Sequence, residues 1–445
     1  MSKVKPSLPK GTRDFLPNEV MQRKYIFNTI KNVLEHYGFV EIETPAFERL
    51  ETLTGKYGEE GDRLLFKILN SGDFLSKVED AVYQEKNSTK ILKDITEKGL
   101  RYDLTVPLAR YVVQHQGDLI FPFKRYHVAP VWRADRPQRG RYQEFYQFDA
   151  DIISADSLFN DVELSEILID VFKRLQIPVT IKINNRKLLE ALAIYANAPE
   201  QLVGITTAID KLDKVGMEGV NNELEKMGLN ENQIQKIKSV LAITDIAALE
   251  KVFASIEVGR KGIEEIQFIF DKIDSSLVQF DITLARGLTY YTGTIWEVTA
   301  NNVQMGSISG GGRYDNLTEM FGGQNMSGIG ISFGVERMYD VMEELQLFPS
   351  NIVQGVKVLL VPREENSTNH CYELVKKFRS NNISCELFTG NIKKQKQFSY
   401  ATSKNIANIM EVGSDEISSS IYRIKNISSR EEHKLSIDAI IEQLK

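Results

Sequence analysis

The sequence is poor in the residues that build disulfide frameworks and metal sites. It contains two cysteines, Cys371 and Cys385, in 445 residues, and no CxxC pair. This scarcity excludes a disulfide framework and a zinc site made of cysteines, and it fits a reducing compartment. The five histidines show no HExxH or similar ligand spacing. The cytoplasm is therefore the expected location.

Long apolar segments are also missing. No run of 18 or more apolar residues occurs, so the sequence predicts no membrane-spanning helix. The first ten residues, MSKVKPSLPK, lack the apolar core of a secretory signal. With 42% hydrophobic and 26% charged residues, the composition is ordinary for a soluble protein, and the length allows two or three domains.

Common nucleotide-binding fingerprints are absent as well. The P-loop pattern GxxxxGK[ST] and the protein-kinase HRD do not occur, and GIGISFG (328–334) matches the Rossmann pattern only loosely. A nucleotide would have to be bound by arginine side chains and glycine backbone, because Arg forms fixed forks to phosphate oxygens and glycine allows close approach. The candidates are Arg133, Arg286, Arg337 and the glycines at 310–312 and 328–334.

The most informative stretch runs from Phe121 to Ser154 and is typical of two strands joined by a polar loop. Side chains two residues apart share one face of a strand, so the second strand predicts a largely polar row on one side. That row is Phe145, Gln147, Asp149 and Asp151, and the opposite face holds Tyr146, Phe148 and Ala150.

An arginine-rich loop accompanies this polar row. Arg133, Arg136, Arg139 and Arg141 lie within nine residues, and crowded like charges repel unless an anion joins them. A solvated edge hairpin is the plain alternative, because one exposed polar face is common in antiparallel sheets. Anion binders beside carboxylates instead favour a ligand that carries both a phosphate and a cationic amine.

The element pattern divides the chain into four parts. Residues 1–185 and 276–345 mix strands and helices, whereas 186–275 are helix upon helix and are interpreted as an insertion. Residues 355–445 alternate strands and helices as a small α/β domain. This last part holds 14 Lys and Arg against 11 Asp and Glu, whereas the whole chain has a net charge of −6. The difference in charge suggests a separate partner for the last part.

Three segments carry local expectations. Residues 61–72 are interpreted as a strand and turn, and the charged residues 75–99 as a mobile segment. The glycine-rich SISGGGRYDNL (307–317) is interpreted as a turn.

The motifs together resemble a known family. VEIETPAFERL (40–50), the hairpin around Arg133 and GIGISFGVERM (328–338) resemble motifs 1, 2 and 3 of class II aminoacyl-tRNA synthetases. LARGLTYYTG (284–293) and SGGGRYDNL (309–317) resemble the two peptides peculiar to histidyl-tRNA synthetases. KGTRDFLP, near the N-terminus, is also similar to that family.

The resemblance implies a fold and a reaction. The fold would be α+β, with an antiparallel sheet of the class II synthetase type flanked by helices, a helical insertion and a C-terminal α/β anticodon-binding domain. The reaction would join L-histidine to tRNA-His with ATP as substrate and Mg²⁺ on its phosphates. Motif 1 would form a homodimer, with no membrane partner. One departure is Thr289, where the family usually has Asp; it implies altered support of the site, not lost activity.

Residue roles follow from the same resemblance. Arg133 and Arg286 would be the catalytic arginines, and Gln138 would point toward the tRNA acceptor end. The ATP site would comprise Arg133, Asp135, Arg141, Phe145 and Arg337. The histidine site would comprise Asp103, Thr105, Arg133, Gln147, Asp151, Arg286, Tyr290 and Tyr291.

Plainer alternatives stand beside these roles. Asp103 could simply cap a helix, Arg286 could be a surface charge, and Tyr290 and Tyr291 could be packed strand aromatics. At the level of the whole chain, the alternative is a catalytically silent paralogue that senses histidine as a regulatory subunit. Such paralogues generally lack the C-terminal domain and lose catalytic arginines, whereas this chain has the C-terminal domain and keeps the arginines.

Overall fold

The computed structural model describes residues 5–274, 276–285, 291–316, 318–323, 325–352, 355–389 and 394–445. The chain forms two compact units. The first comprises the residues up to Leu16 and from Arg23 to Leu347, and the second comprises Pro17–Gln22 and Phe348–Lys445.

The first unit is built on a sheet of eight strands, counted within the described residues. Across the sheet the order is β1 (Val40–Glu41), β5 (Phe123–Trp132), β6 (Glu144–Ile153), β11 (Gly328–Gly334), β10 (Ser309–Tyr314), β9 (Thr294–Ala300), β7 (Val179–Asn185) and β8 (Val278–Phe280). Neighbours run antiparallel except at the edges, where β1 lies parallel to β5 and β8 parallel to β7. The expected antiparallel sheet is therefore confirmed.

The hairpin of β5 and β6 lies toward one side of this sheet, between the edge strand β1 and β11. Its strands pair over ten residues, with Arg125 opposite Asp151 and His127 opposite Asp149. Phe148 and Ala150, on the other face of β6, are at most 1% exposed. Because the two faces alternate, burying the apolar row fixes the polar row on the opposite side of the sheet.

The glycine-rich segment is a strand, so the prediction of a turn over 307–317 is wrong. Ser309–Tyr314 pairs with β11 on one side and β9 on the other. A Cβ on Gly311 would overlap the Gly330 carbonyl oxygen, and one on Gly312 would lie 2.5 Å from the Tyr291 ring. Glycine is required here by close approach of neighbours, not by a turn conformation.

The segment between residues 58 and 100 is more regular than its composition indicates. It contains helices α3 (Gly58–Leu64), α4 (Asp80–Gln84) and α5 (Ser88–Ile95) and strands β3 (Lys67–Ile68) and β4 (Lys98–Leu100). The predicted strand start at 61 is therefore wrong, and the segment 75–99 that was expected to be mobile contains two helices and the start of a strand. Strand β4 pairs with β3 and with β2 (Phe47–Arg49) in a small sheet, and the Asn87 side chain caps α5. The strand pairs join residues that are far apart in sequence, and the helix cap lies inside a charged run, so composition alone did not predict either feature.

Helices surround the large sheet. They are α1 (Pro17–His36), α2 (Leu50–Leu53), α6 (Thr105–Gln114), α7 (Phe159–Leu175) and α14 (Val335–Glu344), with a short 3-10 helix at Thr318–Phe321. The expected helical insertion contains α8 (Arg186–Tyr195), a 3-10 helix at Pro199–Gln201, α9 (Leu202–Ile209), α10 (Leu212–Lys226), α11 (Glu231–Leu241), α12 (Ile246–Val252) and α13 (Glu257–Phe270).

The second unit contains a five-stranded sheet, again within the described residues. Its strand order is β13 (Cys385–Leu387), β12 (Val358–Pro362), β14 (Asn408–Val412), β15 (Tyr422–Asn426) and β16 (Glu432–Leu435). Its helices are α15 (Ser367–Ser380), α16 (Lys394–Ser403), α17 (Ser414–Ser419) and α18 (Ile437–Leu444). The two cysteines are buried here as free thiols, and burial raises the pKa of Cys371 to about 12.

None of the helices in the described residues has the length and apolar character needed to span a bilayer.

Candidate active site

A cavity of about 490 Å³ lies over the sheet face that β6, β11 and β10 present. The residues that line it include most of the predicted site. The predicted residues on its wall are Asp103, Thr105, Arg133, Asp135, Arg141, Phe145, Gln147, Asp151, Tyr291 and Arg337. The structure thus brings together side chains from five separate stretches of sequence.

Strand β6 supplies the cavity floor. Phe145, Gln147, Asp149 and Asp151 all line the cavity, so the predicted polar face of this strand is the one that faces it. Gln147 is held at both ends of its amide: Nε2 donates to Ser332 Oγ at 2.8 Å, and Oε1 accepts from Arg133 at 3.3 Å. The amide is therefore fixed in one orientation above the sheet.

Arg133 enters the cavity from the first residue after β5. Its Nε donates to the Tyr102 carbonyl oxygen at 3.1 Å, and its guanidinium carbon lies 4.3 Å from the centre of the Tyr102 ring. The Phe145 ring flanks it at 5.1 Å. Two aromatic rings and a carbonyl hold the planar fork in place, as anion recognition by arginine requires.

Asp103 caps helix α6 and also lines the cavity. Its Oδ1 accepts from the backbone N–H groups of Thr105 and Val106 at 3.2 and 3.1 Å, which caps α6, and from the Tyr57 hydroxyl at 3.1 Å. The capping role considered from the sequence is therefore present, and the same carboxylate lines the cavity. Burial raises the pKa of Asp103, and these donors oppose the rise.

Asp151 is held by two buried partners that the sequence interpretation missed. Its Oδ2 lies 2.6 Å from Arg125, and its Oδ1 accepts from the Tyr314 hydroxyl. Burial raises the pKa of Asp151, and the Arg125 guanidinium lowers it again. Arg125 stands opposite Asp151 on β5, and Tyr314 ends β10, so both partners follow from the strand register.

Asp149 is a second buried carboxylate on the floor. It is 3% exposed, and burial raises its pKa to about 7, with the Asp151 carboxylate adding to the rise. Opposite it on β5, burial and the nearby Arg125 and Arg101 lower the pKa of His127 to about 3, so that imidazole is neutral. Alternation placed Asp149 on this face, but no signal in the sequence distinguished it as a site residue.

Two more arginines line the cavity. Arg337, from the first turn of α14, donates to the carbonyl oxygens of Gly140 and Ser307 at 2.7 and 2.6 Å. Arg141 lies 3.2 Å from the Asp135 carboxylate, and its side chain is 48% exposed. Gly140 has a φ of +69°, which brings its carbonyl to Arg337 at no steric cost.

Gln138 does not line the cavity. It is exposed at the tip of the loop between β5 and β6, where its backbone pairs with that of Arg141 at 2.9 and 3.1 Å. This tight pairing closes the loop and presents the Gln138 side chain to solvent.

The N-terminal segment braces the base of this loop. The Gly11 carbonyl oxygen accepts from Gln143 N at 2.8 Å, and the Arg13 guanidinium lies 3.8 Å from the centre of the Tyr142 ring. Arg13 and the Tyr142 hydroxyl also reach the Asp340 carboxylate, at 3.3 and 2.9 Å. The segment that resembled a family motif by sequence is thus packed against the loop that carries Asp135 and Arg141.

Arg286 and Tyr290, together with the unusual Thr289, lie outside the described residues. Tyr291, the next residue, is 8% exposed and packs against Gly312 at the cavity wall.

The charges are arranged along the cavity. The carboxylates Asp103, Asp149 and Asp151 line the wall with the Gln147 amide, whereas Arg133 and Arg337 bring guanidinium groups to the same space. Carboxylates suit cationic nitrogen groups, and arginines suit carboxylate and phosphate oxygens. The cavity therefore matches a ligand pair in which an amino acid lies against a polyphosphate.

Two family models match the chain. One, described as histidyl-tRNA synthetase, matches residues 11–84 and 71–338, and the other, described as anticodon binding domain, matches residues 357–445. The chain is 48% identical over 447 residues to histidine–tRNA ligase of Bacteroides fragilis and 49% identical over 444 residues to that of Porphyromonas gingivalis. Each comparison covers 98% of this chain and 98% of the relative.

Solved structures match as well. A crystal structure of histidyl-tRNA synthetase from Nostoc superposes with a TM-score of 0.83 at 28% identity, covering 99% of both chains. An ATP phosphoribosyltransferase regulatory subunit/histidyl-tRNA synthetase from Bacillus halodurans gives a TM-score of 0.71 at 21% identity, covering 89% of this chain and 97% of that one. The second match concerns the fold alone.

Proposed function

The chain belongs to the histidyl-tRNA synthetase family, and from this membership we propose how its cavity joins histidine to tRNA-His. It is an ATP-dependent aminoacyl-tRNA ligase, which makes histidyl-adenylate and then transfers histidine to the 3′ end of the tRNA. One observation supports the assignment of this chemistry to the cavity: carboxylates and guanidinium groups line the same space.

The amino acid occupies the carboxylate-lined part. Asp103, Thr105 and Gln147 bind the α-amino group, and Asp151 and Tyr291, with Tyr290, contact the imidazole edges. Neutral imidazole offers one donor and one acceptor, which a carboxylate and a phenol satisfy together. A competing amino acid without that pair leaves buried polar groups unmatched, which costs on the order of several kcal/mol.

ATP occupies the arginine-lined part. Arg337 binds the γ-phosphate, Arg133 bridges the α-phosphate and the substrate carboxylate, and Asp135, Arg141 and Phe145 line the nucleotide site. The aromatic flanks of Arg133 support its role, because they fix the guanidinium before substrate arrives.

Adenylate formation needs no protein nucleophile. The carboxylate oxygen of histidine attacks the α-phosphorus, the bond to the bridging oxygen of pyrophosphate breaks, and negative charge builds on the α-phosphate oxygens. Arg133 and Arg286 stabilise that charge, and the site otherwise contributes alignment of the two reactants.

Magnesium enters with the ATP phosphates. No group of three or more His, Cys, Asp and Glu side chains in the described residues could cage a metal ion. Mg²⁺ keeps waters and binds chiefly through substrate phosphates with one or two carboxylates. Glu336 is committed to the buried Arg23 at 2.7 Å and to Tyr146 N at 2.8 Å, whereas Asp135 is paired with the half-exposed Arg141 at 3.2 Å. Asp135 is therefore the carboxylate on this wall that would hold the ion. An Asp135→Asn variant should need a higher Mg²⁺ concentration for half-maximal exchange of pyrophosphate into ATP. An unchanged Mg²⁺ concentration at half-maximal rate would exclude Asp135 as a magnesium ligand.

The tRNA meets both units of the chain. Gln138, exposed on the loop tip, contacts the acceptor end, and the domain at 355–445 binds the anticodon, in keeping with the family model that matches it. In the rest of the chain, residues 1–185 and 276–345 form the catalytic domain, and residues 186–275 form the helical insertion. Gln138→Ala should slow transfer to tRNA without changing adenylate formation, and equal slowing of both steps would contradict this.

We further infer a homodimer in the cytoplasm, where ATP and tRNA are available. Residues 40–50 carry two exposed apolar side chains, Val40 at 53% and Phe47 at 48%. A second copy would cover them. Light scattering should give the mass of two chains, and a monomer at micromolar concentration would contradict the dimer.

The regulatory-subunit alternative receives no support. Relatives at 48–49% identity and 98% coverage are named histidine–tRNA ligase, whereas the structure whose title includes a regulatory subunit is 21% identical. Histidine-dependent exchange of pyrophosphate into ATP tests the ligase. Folded protein that gives no exchange above background would overturn it.

A further inference from the structure

Asp149 has a buried acceptor without a protein donor. It lies on the cavity floor between Gln147 and Asp151, and it is 3% exposed. Its Oδ1 atom has no hydrogen-bond partner in the described part of the chain. Leaving such a group unpaired costs about 1–3 kcal/mol, and more when it is charged. At a cavity wall, a bound ligand can remove this cost by supplying the missing donor.

The neighbouring polar groups are already engaged. Asp151 is paired with Arg125 and Tyr314, and both ends of the Gln147 amide are bonded. Asp103 accepts from two backbone N–H groups and a tyrosine hydroxyl. Asp149 therefore differs from Asp151, whose two oxygens already face Arg125 and Tyr314, because its Oδ1 is left for a ligand.

In the described residues Asp149 shares its cation with another acid. The Arg125 guanidinium lowers the pKa of Asp149 but is bound to Asp151, and His127 across the strand pair is neutral. The Asp151 and Asp103 carboxylates oppose its ionisation, and the Ser332 hydroxyl of β11 favours it. A ligand with a polarised or cationic N–H would compensate this charge.

We propose that Asp149 is a further histidine-binding residue, whose Oδ1 accepts the hydrogen bond from the ring N–H of the bound amino acid, because the oxygens of Asp151 at the same ring are already bound to Arg125 and Tyr314. The inference rests on the proposed function, because it takes histidine as the ligand. Residues two apart on a strand are separated by about 6–7 Å, close to the span of one histidine. Gln147 at the amino end and Asp149 at the ring thus fit one molecule, while Asp151 with Arg125 and Tyr314 shapes the end of the pocket.

Ring-methylated substrates test the contact directly. Histidine, Nπ-methylhistidine and Nτ-methylhistidine are compared in ATP–pyrophosphate exchange for wild type, Asp149→Ala, Asp149→Asn and Asp118→Asn. Asp118 is the matched control, since its side chain is 86% exposed. Wild type should reject at least one methylated isomer by roughly 10²-fold in kcat/KM, as expected where a buried acceptor loses its donor.

The alanine variant should raise KM for histidine about tenfold or more with KM for ATP unchanged, because an acceptor that binds only the ring is lost. The alanine variant should also show a smaller preference for histidine over one of the two methylated isomers, because the methyl group of that isomer can enter the space that the Asp149 side chain leaves. Asp149→Asn, which keeps the shape, should raise KM for histidine less and preserve the preference.

Other results would overturn the inference. Equal losses for all three substrates, a shared rise in KM for ATP, or unchanged discrimination in Asp149→Ala would assign Asp149 a structural role only. If the alanine variant does not fold, unchanged KM for histidine in Asp149→Asn excludes the contact. Absence of exchange in wild type would instead contradict the proposed function, so the two failures are distinct.

Discussion

The guanidinium of Arg125 lies 2.6 Å from the carboxylate of Asp151, with side-chain exposures of 0% and 5%. The two residues face each other across the β5–β6 pair, beneath a cavity whose floor carries a second carboxylate, Asp149. One buried cation thus serves two buried acids. This arrangement makes the floor of the site sensitive to any change of charge.

Arg125→Ala is expected to destabilise the first unit strongly. Removing one partner of a buried ion pair leaves an uncompensated charge and costs about 3–5 kcal/mol. The urea midpoint should fall accordingly. Arg174→Ala is the matched control, because Arg174 pairs with Asp170 on an exposed helix face at 2.8 Å and such pairs contribute about 0–1 kcal/mol. Similar small shifts in both variants would show that the buried pair is dispensable.

Gly330→Ala is expected to impair histidine use. A Cβ at this position would overlap Asp151 Oδ1, so the carboxylate would have to leave Arg125 and Tyr314. Overpacking of this kind costs about 1–3 kcal/mol, which predicts a 10- to 100-fold fall in kcat/KM for histidine. Gly117→Ala, which meets nothing within 4 Å, should have little effect. Equal behaviour of the two variants would contradict the steric argument.

Part of this site could be predicted from sequence because strands have a period of two. Once residues 144–153 are recognised as a strand, Gln147 and Asp151 must share a face. The resemblance to family motifs added residues from distant stretches, and all the described ones except Gln138 line the cavity.

The features of the site that the sequence did not predict depend on contacts between segments that are far apart in the chain. The run 309–312 has the local signature of a turn, and only the carbonyl of Gly330 and the ring of Tyr291 explain why glycine stands inside a strand. The pairing of Tyr314 with Asp151 joins residues 163 positions apart. No local pattern carries such information, because register and sheet order decide it.

Arg13→Ala is expected to weaken ATP use more than histidine use. Arg13 stacks on Tyr142 and pairs with Asp340, which holds the base of the loop that carries Asp135 and Arg141. Loss of the stack and the partly buried pair should cost about 1–2 kcal/mol, so KM for ATP should rise roughly 5- to 30-fold. Arg13→Lys keeps the charge but not the planar stack and should be intermediate. Parallel changes in both KM values would argue against a role confined to the loop.

Arg286→Ala is expected to abolish adenylate formation while histidine and ATP still bind in part. Its proposed partner is the charge that develops on the α-phosphate, so the loss should fall on kcat, by about 10²-fold or more. Single-turnover formation of histidyl-adenylate measures this step. Arg260→Ala, on an exposed face of α13, is the control. An exchange rate near that of wild type would remove Arg286 from the transition state.

Asp149→Asn is expected to stabilise the empty protein in a pH-dependent manner. Burial raises the pKa of Asp149 from 3.8 to about 7, so the folded protein binds this proton more tightly than the unfolded chain. Stability contributed by the protonated acid is complete below about pH 4 and is lost as pH rises toward 7, because the stability slope follows the difference in bound protons. Asparagine does not titrate, so the variant avoids this loss.

The thermal midpoint of Asp149→Asn should therefore match that of wild type near pH 5 more closely than at pH 8. At pH 8 the free energies of unfolding of the two proteins should differ by at most about 4 kcal/mol, since each unit of pKa shift corresponds to about 1.4 kcal/mol. Saturating histidine should narrow the gap, because the ligand supplies the donor that wild-type Asp149 lacks. Asp118→Asn, which changes a side chain that is 86% exposed, is the control for the substitution itself. A constant gap for Asp149→Asn across this range would mean that the Asp149 carboxyl does not titrate differently on folding.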